Sequence, residues 1–255
     1  MKKNFDDLAE RTPFAIPNNI KLGITKIKSL PLPDKLDCNL NKNHICLITD
    51  DGSELTIQLA NSLIKEEWQV IILSFPGSII PQKSPLSKEI KRMILVDLTE
   101  EHLKQQLDSV INNNGLIGAF IHLNPITVSA TKAKTILKHI FLMAKLLKIS
   151  LNEISKSQRS WFITVTHLDG KLGLGENNNF QSITGGLFGL TKTLNLEWQN
   201  VFCRAIDLSP SLNIETRVNS IIAELFDPNL LITEVGYTLN NRFTIEAGQA
   251  HLKSY

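Results

Sequence analysis

Ile45-Cys46-Leu47-Ile48-Thr49-Asp50-Asp51-Gly52-Ser53-Glu54-Leu55-Thr56 is the stretch on which the reading of the chain turns. Its apolar run ends at Thr49, as in a buried strand. An acidic turn follows. Leu55, Leu59, Leu63 and Ile64 then recur at helical spacing. A strand, a tight turn and a helix start therefore lie within a dozen residues.

The same alternation continues along the chain. Strands are expected at 45–49, 69–73, 93–97, 116–123, 161–166 and 201–208, with helices at 53–67, 100–111, 130–149, 181–198 and 214–226. The 116–123 segment is almost wholly apolar, as a parallel strand covered on both faces must be. Residues 74–91 hold Pro76, Gly77, Pro81 and Pro85 and read as an irregular loop. The segments 231–239 and 243–245, joined at Asn240-Asn241, suggest a closing strand or hairpin. Strands alternating with helices imply right-handed crossovers and one mostly parallel sheet. The expected fold class is therefore α/β: Rossmann-like, doubly wound, with helices on both faces.

Two regions are expected. Residues 1–42 form a lead-in broken by Pro13, Pro17, Pro31 and Pro33, with a short strand-like piece at 20–27. Residues 43–255 form the Rossmann-like domain. A chain of 255 residues is long enough for one large core. Its apolar fraction of 42% and charged fraction of 20% are ordinary for a globular protein. A net charge of +2 argues for neither nucleic acid nor an anionic membrane as partner. Cys38, Cys46 and Cys203 have neither paired nor metal-like spacing, and Cys46 and Cys203 read as free buried thiols. The N-terminus has no apolar core of a signal peptide, and no segment is long and apolar enough to span a bilayer, so a cytoplasmic location is expected.

Four segments carry a family resemblance: Ile48-Thr49-Asp50-Asp51-Gly52, the 118–123 strand, Gly185-Gly186-Leu187-Phe188-Gly189-Leu190-Thr191-Lys192-Thr193-Leu194, and Cys203-Arg204-Ala205-Ile206-Asp207-Leu208. Val235-Gly236-Tyr237 with Arg242 adds to them. In these residues the chain resembles the short-chain dehydrogenase/reductase superfamily. More narrowly, it is similar to the ketoreductase regions of polyketide and polyunsaturated fatty acid synthases. The resemblance implies two Rossmann-like halves. One binds NADPH and reduces a ketone; the other is structural and has lost both abilities.

Catalytic members carry Thr-Gly-x-x-x-Gly-x-Gly at the phosphate turn. Laid on Thr49, the glycine positions fall on Asp50, Glu54 and Thr56. Each adds a side chain where the backbone must approach a pyrophosphate, and two add negative charge. Like charges about 4 Å apart cost on the order of 4 kcal/mol at a surface-like dielectric. Asp51 and Glu54 instead suit a helix cap of the capping-box type. A metal on Asp50 and Asp51 lacks a third ligand, so no metal site is expected.

The resemblance also implies a catalytic serine, tyrosine and lysine. Counting from Gly189–Glu197 places the tyrosine position on Phe180 and the lysine position on Thr184. Counting from Gly170 places the serine position on His167. Phe180 has no hydroxyl to give, Thr184 is neutral, and only His167 can titrate. Phe188 and Lys192 mimic the tyrosine–lysine spacing without a donor, and Lys192 and Glu197 read as solvated helix residues. Pro125 crowds the turn after His122, where the family's glycine leaves room for the cofactor. Asp97-Leu98 keeps the family's adenine-side pattern but also reads as an ordinary cap.

No cofactor is therefore expected. The function implied is a non-catalytic structural domain of a polyketide or fatty acid synthase, with a catalytic ketoreductase half, other synthase domains or an acyl carrier protein as partners. The alternatives are a divergent NADPH-dependent beta-ketoacyl reductase and a sensor that binds dinucleotide without turnover.

Overall fold

The computed structural model describes residues 23–36, 38–175, 180–198 and 200–249. The asparagine run Asn177-Asn178-Asn179 and most of the lead-in lie outside them. The chain forms two units: a larger one, Ile27–Ile245, and a smaller one, Met1–Lys26 with Glu246–Tyr255. In the smaller unit the described residues are the outer ends of two strands.

The strands are β1 (Gly23–Leu30), β2 (Ile45–Thr49), β3 (Gln69–Ser74), β4 (Lys91–Ile94), β5 (Ile117–Leu123), β6 (Trp161–Thr166), β7 (Phe202–Leu208), β8 (Glu234–Tyr237) and β9 (Arg242–Gln249). The helices are α1 (Glu54–Lys65), α2 (Glu100–Asn114), α3 (Ala130–Ile154), α4 (Gly186–Glu197) and α5 (Ile214–Leu225), with a 3-10 turn at Ser182–Gly185. The sheet order is β1-β9-β8-β7-β6-β5-β2-β3-β4. Strands β2 to β8 pair in parallel, and β9 returns antiparallel to β8. The chain order reverses between β2 and β5, which places a crevice at the carboxyl ends of those two strands.

Alternating residues of each central strand feed two cores. Cys46, Ile48, Ile121 and Ile163 meet Leu55, Leu59 and Leu63 of α1 and Val218, Ile221 and Leu225 of α5. Ile45, Leu47, Phe120 and Phe162 meet Leu103 and Leu107 of α2, Ile140, Met143 and Leu147 of α3, and Leu187 and Leu194 of α4. Period-two strands between period-3.6 helices give this three-layer arrangement.

Several boundaries differ from the sequence reading; α4, for one, starts at Gly186 after the 3-10 turn rather than at 181. The strand expected at 93–97 is β4, at Lys91–Ile94, and Asp97 follows it, accepting from Thr99 N at 2.8 Å and Thr99 Oγ1 at 2.6 Å. Thr99 is the N-cap of α2. Helix α3 runs five residues further than expected, to Ile154, because Leu151 and Ile154 continue its buried stripe. Trp68 stands where a glycine would usually close the first helix; in the structure Glu67 takes the left-handed backbone there, at φ 64°.

The edge of the sheet at β7, β8 and β9 holds a buried ion cluster. Arg204, Glu224, Asp227 and Arg242 are at most 3% exposed, two positive against two negative. Arg242 Nε donates to Glu224 Oε1 at 2.7 Å, and its Nη2 donates to Asp227 Oδ2. Arg204 Nη1 lies 3.2 Å from Glu224 Oε2, and Arg204 Nη2 donates to Asn229 O at 2.7 Å. The Tyr237 hydroxyl donates to Glu224 Oε1. Buried charges persist only when paired in this way. Glu224→Gln leaves two guanidiniums facing one carboxylate, and we expect a loss of about 3–5 kcal/mol in urea unfolding; an unchanged midpoint refutes the cluster's role.

Candidate functional site

The turn between β2 and α1 is built from its own side chains. Asp50 is 1% exposed and points inward. Its carboxylate accepts from Gly52 N at 3.0 Å, from Ser74 Oγ at 2.8 Å and from Ser84 Oγ at 2.6 Å. Ser84 N lies 3.3 Å from both of its oxygens, and Arg92 Nη2 lies 3.4 Å from Oδ2. Asp51 accepts from Ser53 N at 3.0 Å, from Ser53 Oγ at 2.6 Å and from Thr56 Oγ1 at 2.7 Å. Asp51 N in turn donates to Thr56 Oγ1 at 3.2 Å.

The cap differs from the one expected. Ser53, not Asp51, is the N-cap of α1, accepting from Leu55 N at 3.1 Å, and Asp51 braces it. Glu54 is the first helical residue and is exposed, so no capping box forms. The acidic groups at the turn are thus disposed differently: Asp50 is hydrogen-bonded inside the protein, and Glu54 faces solvent. The backbone N–H groups of Asp50, Asp51, Gly52, Ser53 and Leu55 all have partners within the chain.

The loop after β3 closes over this turn. Gly52 has φ +79°, and a Cβ there would lie 2.9 Å from Gln82 O and 3.1 Å from Ile80 Cγ2. Ser84 Oγ lies 2.6 Å from Ser53 O. A cavity of about 420 Å³ remains beside it, lined by Asp51, Ile80, Gln82, Pro125, Thr127 and Lys132. It sits at the β2–β5 switch point. The proline-rich loop read as irregular is irregular, but its packing on the turn left no signal in the sequence.

The three positions that the family resemblance assigns to the serine, tyrosine and lysine lie on separate supports. His167 follows β6 and is 6% exposed, and neither ring nitrogen has a partner in hydrogen-bonding geometry. Burial and then the Arg217 guanidinium push its pKa down to about 3, against a small opposing pull from the Leu208 backbone. Phe180 packs with Leu168, Phe188 and Ala205 in a small apolar cluster. Thr184 lies in the 3-10 turn, its Oγ1 donating to Gln181 O at 2.7 Å. Among the described residues, none of the three is hydrogen-bonded to another. Lys192, read as solvated, pairs with Glu234 at 3.0 Å.

The loop beyond His167 is held from below. Asp207 of β7 accepts from Leu168 N at 2.7 Å, Gly170 N at 2.8 Å and Leu172 N at 2.9 Å. Burial lifts its carboxyl to about 6, while the Leu168 and Leu172 N–H groups pull it back. Asp169 accepts from the N–H groups of Lys171, Gly173 and Gly175 at 2.7–2.9 Å. Gly170, at φ +75°, packs so closely that a Cβ would meet Tyr237 O at 2.2 Å. His122, at the end of β5, is fully buried and its Nδ1 lies 2.8 Å from Thr49 Oγ1; burial pushes its pKa down to about 3, partly offset by Asn124.

No family model matches the chain. It is 29% identical over 237 residues to a polyunsaturated fatty acid synthase polypeptide of a Thraustochytrium species; these cover 90% of this chain. The chain spans only 8% of that polypeptide's length. A multidomain structure of a keto acid-selecting NRPS module with adenylation, ketoreductase and pseudo Asub parts superposes with a TM-score of 0.66 at 15% identity, over 90% of this chain and 18% of that one. A short-chain dehydrogenase from Shigella flexneri superposes at 0.53 and 13% identity, over 77% of this chain and 89% of that one. The chain therefore has the Rossmann-like fold of the short-chain dehydrogenases.

Two expectations follow from this geometry. Asp50→Asn puts an amide donor against Ser74, Ser84 and Arg92; we expect a loss of about 1–3 kcal/mol and faster proteolysis within residues 75–90, measured by urea unfolding and limited digestion. His122 and His167 stay neutral in the folded chain down to about pH 3, whereas the unfolded chain protonates them near 6.5. The unfolded state therefore binds more protons between pH 6.5 and 3, and stability falls on acidification through that window, by up to about 1.4 kcal/mol per pH unit for each histidine. His167→Leu flattens the dependence between pH 6.5 and 5; an unaltered slope contradicts the assignment.

Proposed function

We propose that the chain is a non-catalytic, ketoreductase-like structural domain of a polyketide or fatty acid synthase, supporting a catalytic ketoreductase half. One observation carries the reading. Five backbone N–H groups at the turn where this fold binds a dinucleotide's phosphates, those of Asp50, Asp51, Gly52, Ser53 and Leu55, are satisfied here by the chain's own side chains and carbonyls. A pyrophosphate would also meet the loop at Ile80–Gln82. The residues present do not fit NADPH.

The reaction side supports the same view. Ketone reduction needs a group that gives a proton to the carbonyl oxygen. Phe180 stands at the position that the family resemblance assigns to that donor, and it packs in an apolar cluster. Thr184 offers no charge to lower a donor's pKa. His167 is neutral near pH 7 and buried, with no hydroxyl-bearing partner. The similarity to part of a synthase polypeptide supplies the context of neighbouring synthase domains.

Titration of NADPH fluorescence with the purified chain, carried to millimolar cofactor, tests the reading. We expect no saturable quenching or shift and no oxidation of NADPH with β-ketoacyl thioesters. Saturable binding with turnover establishes the divergent reductase instead. Binding without turnover establishes a sensor.

A further inference from the structure

We infer that the outward face of α3 is a docking surface for an acidic amphipathic helix of a partner protein. The inference deepens the reading of the chain as part of an assembly. Helix α3 carries Lys132, Lys134, Lys138, Lys145 and Lys148 against one acid, Glu153: five minus one leaves +4, while the whole chain is +2. Lys134, Lys138, Phe141, Lys145, Lys148 and Ile149 are all exposed. At about 100° per residue they fall within a stripe about 100° wide. The stripe runs about 22 Å along the helix, the length of four turns.

The charge on this face is largely uncompensated. Lys145 pairs with Glu100 of α2 at 2.7 Å. Among the described residues, Lys134, Lys138 and Lys148 have no acidic partner, and none of them is needed to hold α3 in place. The apolar stripe of Ile136, Ile140, Met143, Leu147 and Leu151 does that from the opposite side. Between the lysines stand Phe141, 58% exposed, and Ile149, 82% exposed. They are eight residues, about two turns, apart, so one helix laid alongside meets both. Lysines flanking apolar anchors fit a partner helix with a leucine stripe bordered by Glu and Asp.

Other polyanions fit less well. A membrane-bound helix must give its apolar face to lipid, and here that face is committed to the sheet. Nucleic acid calls for a broader basic field than a chain of net +2 provides. The relatives supply room for a protein partner: this chain matches 8% of one and 18% of another, and the rest of each is further protein.

The test uses the full chain and a fluorescein-labelled synthetic peptide of three heptads with a leucine stripe bordered by glutamates, read by fluorescence anisotropy. We expect saturable binding that weakens with salt. Lys134→Glu with Lys138→Glu should weaken it about tenfold or more, and so should Phe141→Ser with Ile149→Ser. Lys65→Glu with Lys88→Glu, away from α3, should leave it unchanged. Thermal melting confirms that each variant is folded, and Lys134→Gln with Lys138→Gln gives a milder, charge-neutral version. Absence of binding at about 100 µM peptide overturns the inference. So does equal binding of a scrambled peptide of the same charge, or tighter binding to phosphatidylserine vesicles or duplex DNA. None of these outcomes bears on the NADPH titration, so each reading can fail alone.

Discussion

A carboxylate taken out of water must be surrounded by donors, and the packing of Asp50 follows from that requirement. Two serine hydroxyls, two backbone N–H groups and an arginine converge on its two oxygens. Those donors come from the turn itself, the end of β3, the loop after it and β4. One side chain thus ties four pieces of chain together near the carboxyl ends of β2 and β3. The crevice of a doubly wound sheet is normally left open for a ligand. Here the protein's own polar groups line its first wall, and the loop at Ile80–Gln82 lies against Gly52 beside Ser84, whose hydroxyl reaches Ser53 O.

The other buried polar groups obey the same rule at a distance. Asp207 gathers backbone N–H groups of the loop after β6, and Asp169 gathers three more. Glu224 and Asp227 answer Arg204 and Arg242 under the sheet edge. Asp207 and Asp169 thereby hold a loop whose backbone would otherwise be short of partners, while Glu224 and Asp227 offset buried guanidiniums. Rigidity at this end of the sheet comes from electrostatics, while the two apolar cores fix the layers.

Much of this architecture was legible from periodicity. The apolar strand at β5 and the 3.6-residue recurrence in α1 and α3 are local signals, and they placed sheet and helices within a few residues. The exchanged residues at the turn were legible for the same reason, since Asp50, Glu54 and Thr56 stand at fixed offsets from Thr49. What those side chains do was not. Asp50 meets Ser84 across 34 positions and Arg92 across 42, and a sequence pattern carries no sign of such pairings. The cap was misread because Ser53 and Asp51 are both good capping residues two positions apart, and only the backbone path chooses between them. Lys192 is partly exposed, as read, but its ion pair with Glu234, on a strand 42 residues away, left no sign in the sequence. Arg204, Asp207, Tyr237 and Arg242 belonged to the segments that carried the family resemblance, yet their ion cluster and loop brace needed three dimensions to be seen.

The web around Asp50 also ties the turn to distant residues. Glycine at position 50 would strip Ser74, Ser84 and Arg92 of their acceptor at once, with the loop above Gly52 still in place. Glycines at 54 and 56 would in addition remove the hydroxyl that Asp51 holds. The residue at position 50, the loop above it and Arg92 of β4 are therefore coupled, so that a change at any one of them is felt at the others.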